Sequence, residues 1–176
     1  MGVAWELRVE MAEIETKDPQ FSLRSATPAD AAIVLHFMRK LGTYQQMADE
    51  ITATEADIFN LLADGHGEAL FGMLNEEPIG MVFFSRTCSA FTGRSGLFLD
   101  AFVLDAAARQ RGYGQIMMAE LAKTALERGG LMLEWGCLDW NTAAIKFYEK
   151  MGAYCLNTMQ IYRLSPSDMQ TISKRF

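Results

Sequence analysis

The stretch from Phe102 to Leu126 constrains this chain more than any other. An apolar strand end, Phe102-Val103-Leu104, runs into a basic turn, Arg109-Gln110-Arg111-Gly112-Tyr113-Gly114, and the turn opens an amphipathic helix over 113–128. The start of a helix leaves N–H groups without intrahelical acceptors and carries the positive end of the dipole. Two glycines and two arginines beside it make a place to hold phosphate. A tight turn without any ligand fits the same glycines, so the pair alone decides nothing. The turn is not a Walker loop, which needs GK[ST], and its surroundings do not fit the dinucleotide fingerprint.

The rest of the chain predicts a mixed α/β sheet covered by helices. Phe21–Ser25 reads as a short strand. Thr27-Pro28 is a helix entry, and Ile33, Phe37 and Leu41 give that helix an apolar stripe, with Gly42 as its stop. Thr54-Glu55-Ala56-Asp57 reads as a capping box ahead of a second helix. Strands over 68–74 and 78–85 are joined by Asn75-Glu76-Glu77-Pro78. A polar loop or irregular strand end over 85–96, strands over 97–104 and 131–138, a helix over 142–150, one or two strands within 153–163 and a short helix from Ser165-Pro166 complete the order. Val3 to Val9 is either an extra strand or a loose arm. Residues 1–20 read as an N-terminal extension and 21–176 as one domain.

Composition excludes several classes. Sixteen Lys plus Arg against twenty-two Asp plus Glu give a formal charge of -6, which argues against a broad nucleic-acid surface. It suits a cationic substrate and equally an ordinary soluble surface. Cys88, Cys137 and Cys155 are odd in number and lack a CxxC spacing, so a reducing, cytoplasmic setting is expected. Together with His36 and His66 they make no metal cluster. No apolar run is long enough to span a membrane, and acids at Glu6, Glu10, Glu13, Glu15 and Asp18 leave no signal-peptide core.

Two ordered segments now carry a resemblance. The first is the R-x-x-G-x-G turn after a Val-containing strand. The second is Trp140-Asn141-x-x-Ala144-x-x-Phe147-Tyr148-x-x-x-Gly152-Ala153. From about Phe21 to Tyr162 the chain resembles the GNAT superfamily of N-acetyltransferases. Within it, Tyr44-Gln45-Gln46-Met47, Phe98-Leu99-Asp100-Ala101-Phe102-Val103 and Leu138-Asp139-Trp140-Asn141 look like the diamine (spermidine/spermine) acetyltransferase branch. The resemblance implies an α/β fold with a mixed, mostly antiparallel central sheet flanked by helices, acetyl-CoA as cofactor, and commonly a homodimer.

It also implies site residues. Phe102, Val103, Arg109, Gln110, Arg111, Gly112, Tyr113, Gly114, Asn141 and Tyr148 would bind the cofactor, the pantetheine arm entering between the strands over 97–104 and 131–138. Tyr148 is the candidate acid for the departing thiolate, or an aromatic anchor beside Ile145 and Phe147. Asn141 binds pantetheine or caps the 142–150 helix. Tyr44, Glu50, Phe91 and Asp100 are candidate acceptor contacts. The general base is the open point. The branch carries Glu-Asp where this chain has Leu99-Asp100, and period two sends these side chains to opposite faces. Asp100 remains a candidate base acting through water, a contact for a cationic amine or a cap for local polar groups, and Glu134 a second candidate base or an exposed strand acid. The connection from Val103 to Arg109 is one residue longer than the usual pattern. The expected activity is acetyl transfer from acetyl-CoA, direct and without an acetyl-enzyme, to a small-molecule amine of diamine or polyamine type. A protein or antibiotic amine as acceptor, and an acetyl-CoA-binding regulatory module with little catalysis, are the alternatives.

Overall fold

The computed structural model describes residues 13–175. The Val3–Val9 segment lies outside them. Contacts divide the chain into two compact units, with the boundary between Gly136 and Cys137.

The first unit is built on one six-stranded sheet. Its strands are β1 (Glu13–Glu15), β2 (Phe21–Ser25), β3 (Glu68–Leu74), β4 (Glu77–Ser89), β5 (Arg94–Leu104) and β6 (Leu133–Trp135), in that spatial order. All neighbours are antiparallel except β5 and β6, which are parallel. The expected mixed, mostly antiparallel sheet with flanking helices is therefore present. Asn75 and Glu76 both have positive φ, 49° and 69°, and Leu74 pairs directly with Glu77. A two-residue left-handed turn of this kind matches the twist of the strands it joins.

Helices α1 (Ala31–Gln45) and α2 (Glu55–Ala63) cover one face. Val34, Phe37, Ile58 and Leu62 pack there with Phe71, Met81, Phe83, Ala101 and Val103. Each such side chain contributes about 1.5–3 kcal/mol by leaving water. The helix starts follow from the sequence. Thr54 accepts from Asp57 N at 3.2 Å, and the Asp57 carboxylate accepts from Thr54 N at 2.8 Å. Burial pushes the Asp30 carboxyl up, but hydrogen bonds from Arg24, at 2.9 and 3.0 Å, and from Thr27 outweigh it and hold it below its usual value.

Helix α3 (Tyr113–Glu127) covers the opposite face. Phe21 stacks on Tyr113 with centroids 4.1 Å apart, and Arg128 pairs with Glu68 at 2.5 and 2.6 Å. A Cβ built on Gly72 would meet the Met117 sulfur at 3.0 Å, so the sheet and α3 approach closely at that glycine.

Several sequence expectations are corrected. Gly42 does not end α1. It is buried within it, because a Cβ there would lie 2.8 Å from Ile51, and the helix ends at left-handed Gln46 instead. Of the two readings of 85–96, polar loop or strand end, the strand is the one present: β4 and β5 pair down to Ser89 and Arg94, since a ladder tolerates polar side chains on a solvated face. The strand expected over 131–138 shrinks to Leu133–Trp135.

The second unit holds α4 (Thr142–Lys150) and α5 (Pro166–Ser173), capped by Asn141 and Ser165. The strands expected within 153–163 are absent. Alternating apolar residues are insufficient without a ladder partner, and Tyr154, Ile161 and Tyr162 are more than 80% exposed.

Candidate active site

The connection from β5 to α3 forms a concave array of donors. Gln110 and Gly112 both sit in the left-handed region, at φ 64° and 86°, with Arg111 between them. Left-handed residues alternating along a turn point successive N–H groups into one hollow. Among the described residues, none accepts a hydrogen bond from the N–H of Gln110, Arg111, Gly112, Tyr113 or Gly114. The carbonyl of Gly112 already accepts from Gln115 and Ile116, which seats the hollow on the positive end of α3. A Cβ at Gly112 would meet nothing within 4 Å, so the space above it is open.

The sequence located this turn but not all of its geometry. Gly114 lies inside the helix, and the second left-handed residue is Gln110. A non-glycine residue there costs about 1–2 kcal/mol, and strain of this kind collects at functional loops. Nothing in the residue type signals it.

Beside the hollow the sheet opens. β5 and β6 pair only over Leu97–Leu99 and Leu133–Trp135. From Asp100 to Leu104, β5 keeps β4 on one side and has no strand on the other among the described residues. Asp105 N donates to Ile79 O at 2.9 Å. That bond fixes the alternation: Val103 faces β4 with its backbone, while Phe102 and Leu104 turn theirs toward the open side. An extended chain bearing amides can add along such an edge, with its phosphate end in the hollow.

Asp100 and Glu134 are both exposed at the mouth of this opening, Asp100 just past the last paired residue and Glu134 paired in register with Phe98. Asp100 is the extra residue of a β-bulge: Phe84 pairs with Leu99, and Phe83 with Ala101. Period-two counting therefore fails at Asp100. Leu99 and Ala101 lie on opposite faces, as their partners do. Leu99 itself is 3% exposed, so where the branch carries glutamate this chain has a core residue.

Other candidates are placed less directly. The Tyr113 side chain is buried, its hydroxyl donating to Asp18 at 3.0 Å, so only its N–H faces the hollow. Arg109 donates through Nε to the Leu104 carbonyl at 3.0 Å and stacks 5.2 Å from the Tyr44 ring centroid, whereas Arg111 is exposed. Glu50 is exposed on the short turn Ala48–Glu50 after α1. Phe91 is fully exposed at the tip of the β4–β5 hairpin. It lies about 20 Å of strand from Asp100, so the structure does not bring these two acceptor candidates together.

In the second unit, Asn141 caps α4, its Oδ1 accepting from Ala144 N at 3.3 Å. Tyr148 packs edge-on against Phe147 at 5.3 Å. Burial first, and the Cys137 thiol second, push its phenol up to about 12. It therefore keeps its proton throughout the neutral range.

A donor hollow at a helix start, set beside a split in a mostly antiparallel sheet, fits the diphosphate and the amide-bearing arm of a coenzyme A thioester. The chain belongs to the acetyltransferase (GNAT) family, whose model matches residues 34–153. It is 32% identical over 95 residues to the L-ornithine N5-acetyltransferase NATA1 of Arabidopsis thaliana, covering 54% of this chain but 42% of that protein. It is 29% identical over 146 residues to the thialysine N-epsilon-acetyltransferase of Bos taurus, covering 74% of this chain and 82% of that one. An aminoglycoside acetyltransferase from an uncultured soil metagenomic sample, in complex with sisomicin, shares the fold with a TM-score of 0.73 at 12% identity, over 84% of this chain and 99% of that one. The protein is an acetyltransferase, and acetyl-CoA is its cofactor. Among the described residues, no helix is long and apolar enough to cross a membrane.

Proposed function

We propose that this protein acetylates the terminal primary amine of a small, cationic, diamine- or polyamine-like molecule by direct transfer. The observation that carries the reading is the pair of exposed carboxylates, Asp100 and Glu134, at the mouth of the split beside the phosphate hollow. The relatives' names support it: N5 of L-ornithine and Nε of thialysine are both amines at the far end of a short chain.

The open N–H groups of Gln110 to Gly114 would hold the cofactor diphosphate, and the backbone at Phe102 its pantetheine arm. Bound acetyl-CoA supplies an activated acetyl group. Asp100 and Glu134 attract the ammonium form of the acceptor and take its proton, directly or through water, so that the nitrogen can form the new C–N bond. Asn141 would contact the pantetheine arm, and as the C–S bond breaks the departing sulfur would take its proton from Tyr148 Oη. The family resemblance adds a homodimer in the cytoplasm, a setting with which three exposed free thiols are compatible.

Acceptor competition tests the substrate class. Diamines, ω-amino acids, an aminoglycoside and a peptide amine are compared by kcat/KM, and the short diamines or ω-amino acids are expected to lead by at least about tenfold. An Asp100→Asn, Glu134→Gln double variant should raise their KM more than that of a neutral monoamine. A peptide or aminoglycoside in the lead would remove the small-diamine reading while leaving acetyl transfer intact.

A further inference from the structure

Two contacts tie one face of α1 to the two ends of the β5–α3 connection. Lys40 and Tyr44, one turn apart, share that face. Lys40 Nζ pairs with Asp105 Oδ1 at 2.5 Å, and the Tyr44 ring carries the Arg109 guanidinium at 5.2 Å. Between Asp105 and Arg109 lies the short turn Ala106–Ala108, within the connection that is one residue longer than the family pattern. Arg109 Nε closes the same connection onto the Leu104 carbonyl at 3.0 Å. The donor hollow begins at the next residue, Gln110.

We propose that Tyr44 is a positioning residue for the cofactor: its ring braces Arg109, and Arg109 sets the hollow. The inference rests on the acetyl-CoA reading of that hollow. A longer loop has more conformations to lose when its ligand binds. Bracing both its ends removes part of that cost beforehand. With the Arg109 side chain spent on a carbonyl and a ring, exposed Arg111 is the arginine left to meet phosphate charge. The brace also joins the two sides of the reaction, because the chain runs on from Tyr44 into the acidic turn carrying Asp49 and Glu50.

The ion pair is half open to water, with side chains 41% and 33% exposed, and adds little; the ring contact, at a Tyr44 that is 41% exposed, is the one a phenylalanine control isolates. CoA binding to the intact protein is measured by calorimetry at several salt concentrations for Tyr44→Leu, Tyr44→Phe, Arg109→Lys and the Tyr44→Leu, Arg109→Lys pair. Thermal melting checks that each variant is folded. Tyr44→Leu and Arg109→Lys should each weaken CoA by about three- to fivefold. Tyr44→Phe, which keeps the ring, should stay within about twofold of the parent. The pair should be no weaker than its worse single member, since each change breaks the same contact. The salt dependence should not change in any of them, but should flatten in Arg111→Gln.

Additive losses in the pair, or a Tyr44→Leu protein that binds CoA normally and shows only a raised amine KM, would overturn the brace and leave the cofactor assignment standing. A parent protein that does not bind CoA would overturn both.

Discussion

Gly112→Asp is expected to weaken CoA binding by about 100-fold or more while leaving the protein folded. Two costs combine. At φ 86°, any side chain adds about 1–2 kcal/mol of backbone strain. The larger cost is charge. A carboxylate inside the hollow competes for the N–H groups and repels the diphosphate, with about 1–4 kcal/mol per charge pair at close range depending on solvent access. Folding should survive, because a Cβ at Gly112 meets no atom within 4 Å. Gly112→Ala separates the two costs: it carries the strain alone and should weaken CoA by only about tenfold. Calorimetry on both variants, with melting curves alongside, reads this directly. If Gly112→Asp bound CoA as well as the parent does, the hollow would not be the diphosphate site.

Tyr148→Phe should lower kcat by about 100-fold or more, the scale of a lost general acid, and leave CoA affinity within about twofold. Burial holds the phenol protonated until about pH 12. The neutral phenol is the form the fold favours, so raising pH from 7 to 10 should not remove the acid. Over that range kcat/KM should instead rise as the acceptor, with an amine pKa near 10.4, loses its proton. The variant should keep this rising limb at a lower level. In a tyrosinate absorbance titration, the same substitution should remove a phase near pH 12. An unchanged kcat, or an alkaline limb shifted by the substitution below pH 10, would take the acid role from Tyr148.

The two predictions draw differently on the sequence. Gly112 was legible because a strand, a glycine turn and an amphipathic helix in succession leave few other arrangements. The Thr54–Asp57 cap was legible for a similar local reason: its hydrogen bonds close within one turn. What escaped depends on contacts between distant parts of the chain. The contacts of Arg109 with the Leu104 carbonyl and the Tyr44 ring could not be read, since Tyr44 is 65 positions away on another element. Asp100 looked like one member of an alternating strand, yet the bulge opposite Phe83 and Phe84 resets the alternation there. The strands expected within 153–163 failed because apolar alternation states a preference, while a strand also needs a neighbour to bond. Leu99 is the instructive case. The sequence marked it as a departure from the branch, and its burial shows that a core side chain stands there.

If acetyl-CoA held at this hollow gives its acetyl group to a small amine, the transferred group can be followed by mass. The most direct measurement supplies the purified protein with acetyl-CoA bearing an isotopically heavy acetyl group and a panel of small amines, then resolves both free CoA and product mass. One heavy acetyl is expected on a terminal amine for every CoA released, with no heavy acetyl left on the protein and the yield at sub-saturating acetyl-CoA sharply lowered in the Gly112→Asp variant. CoA bound without release across the panel, or a heavy acetyl retained covalently on the protein, would contradict that transfer.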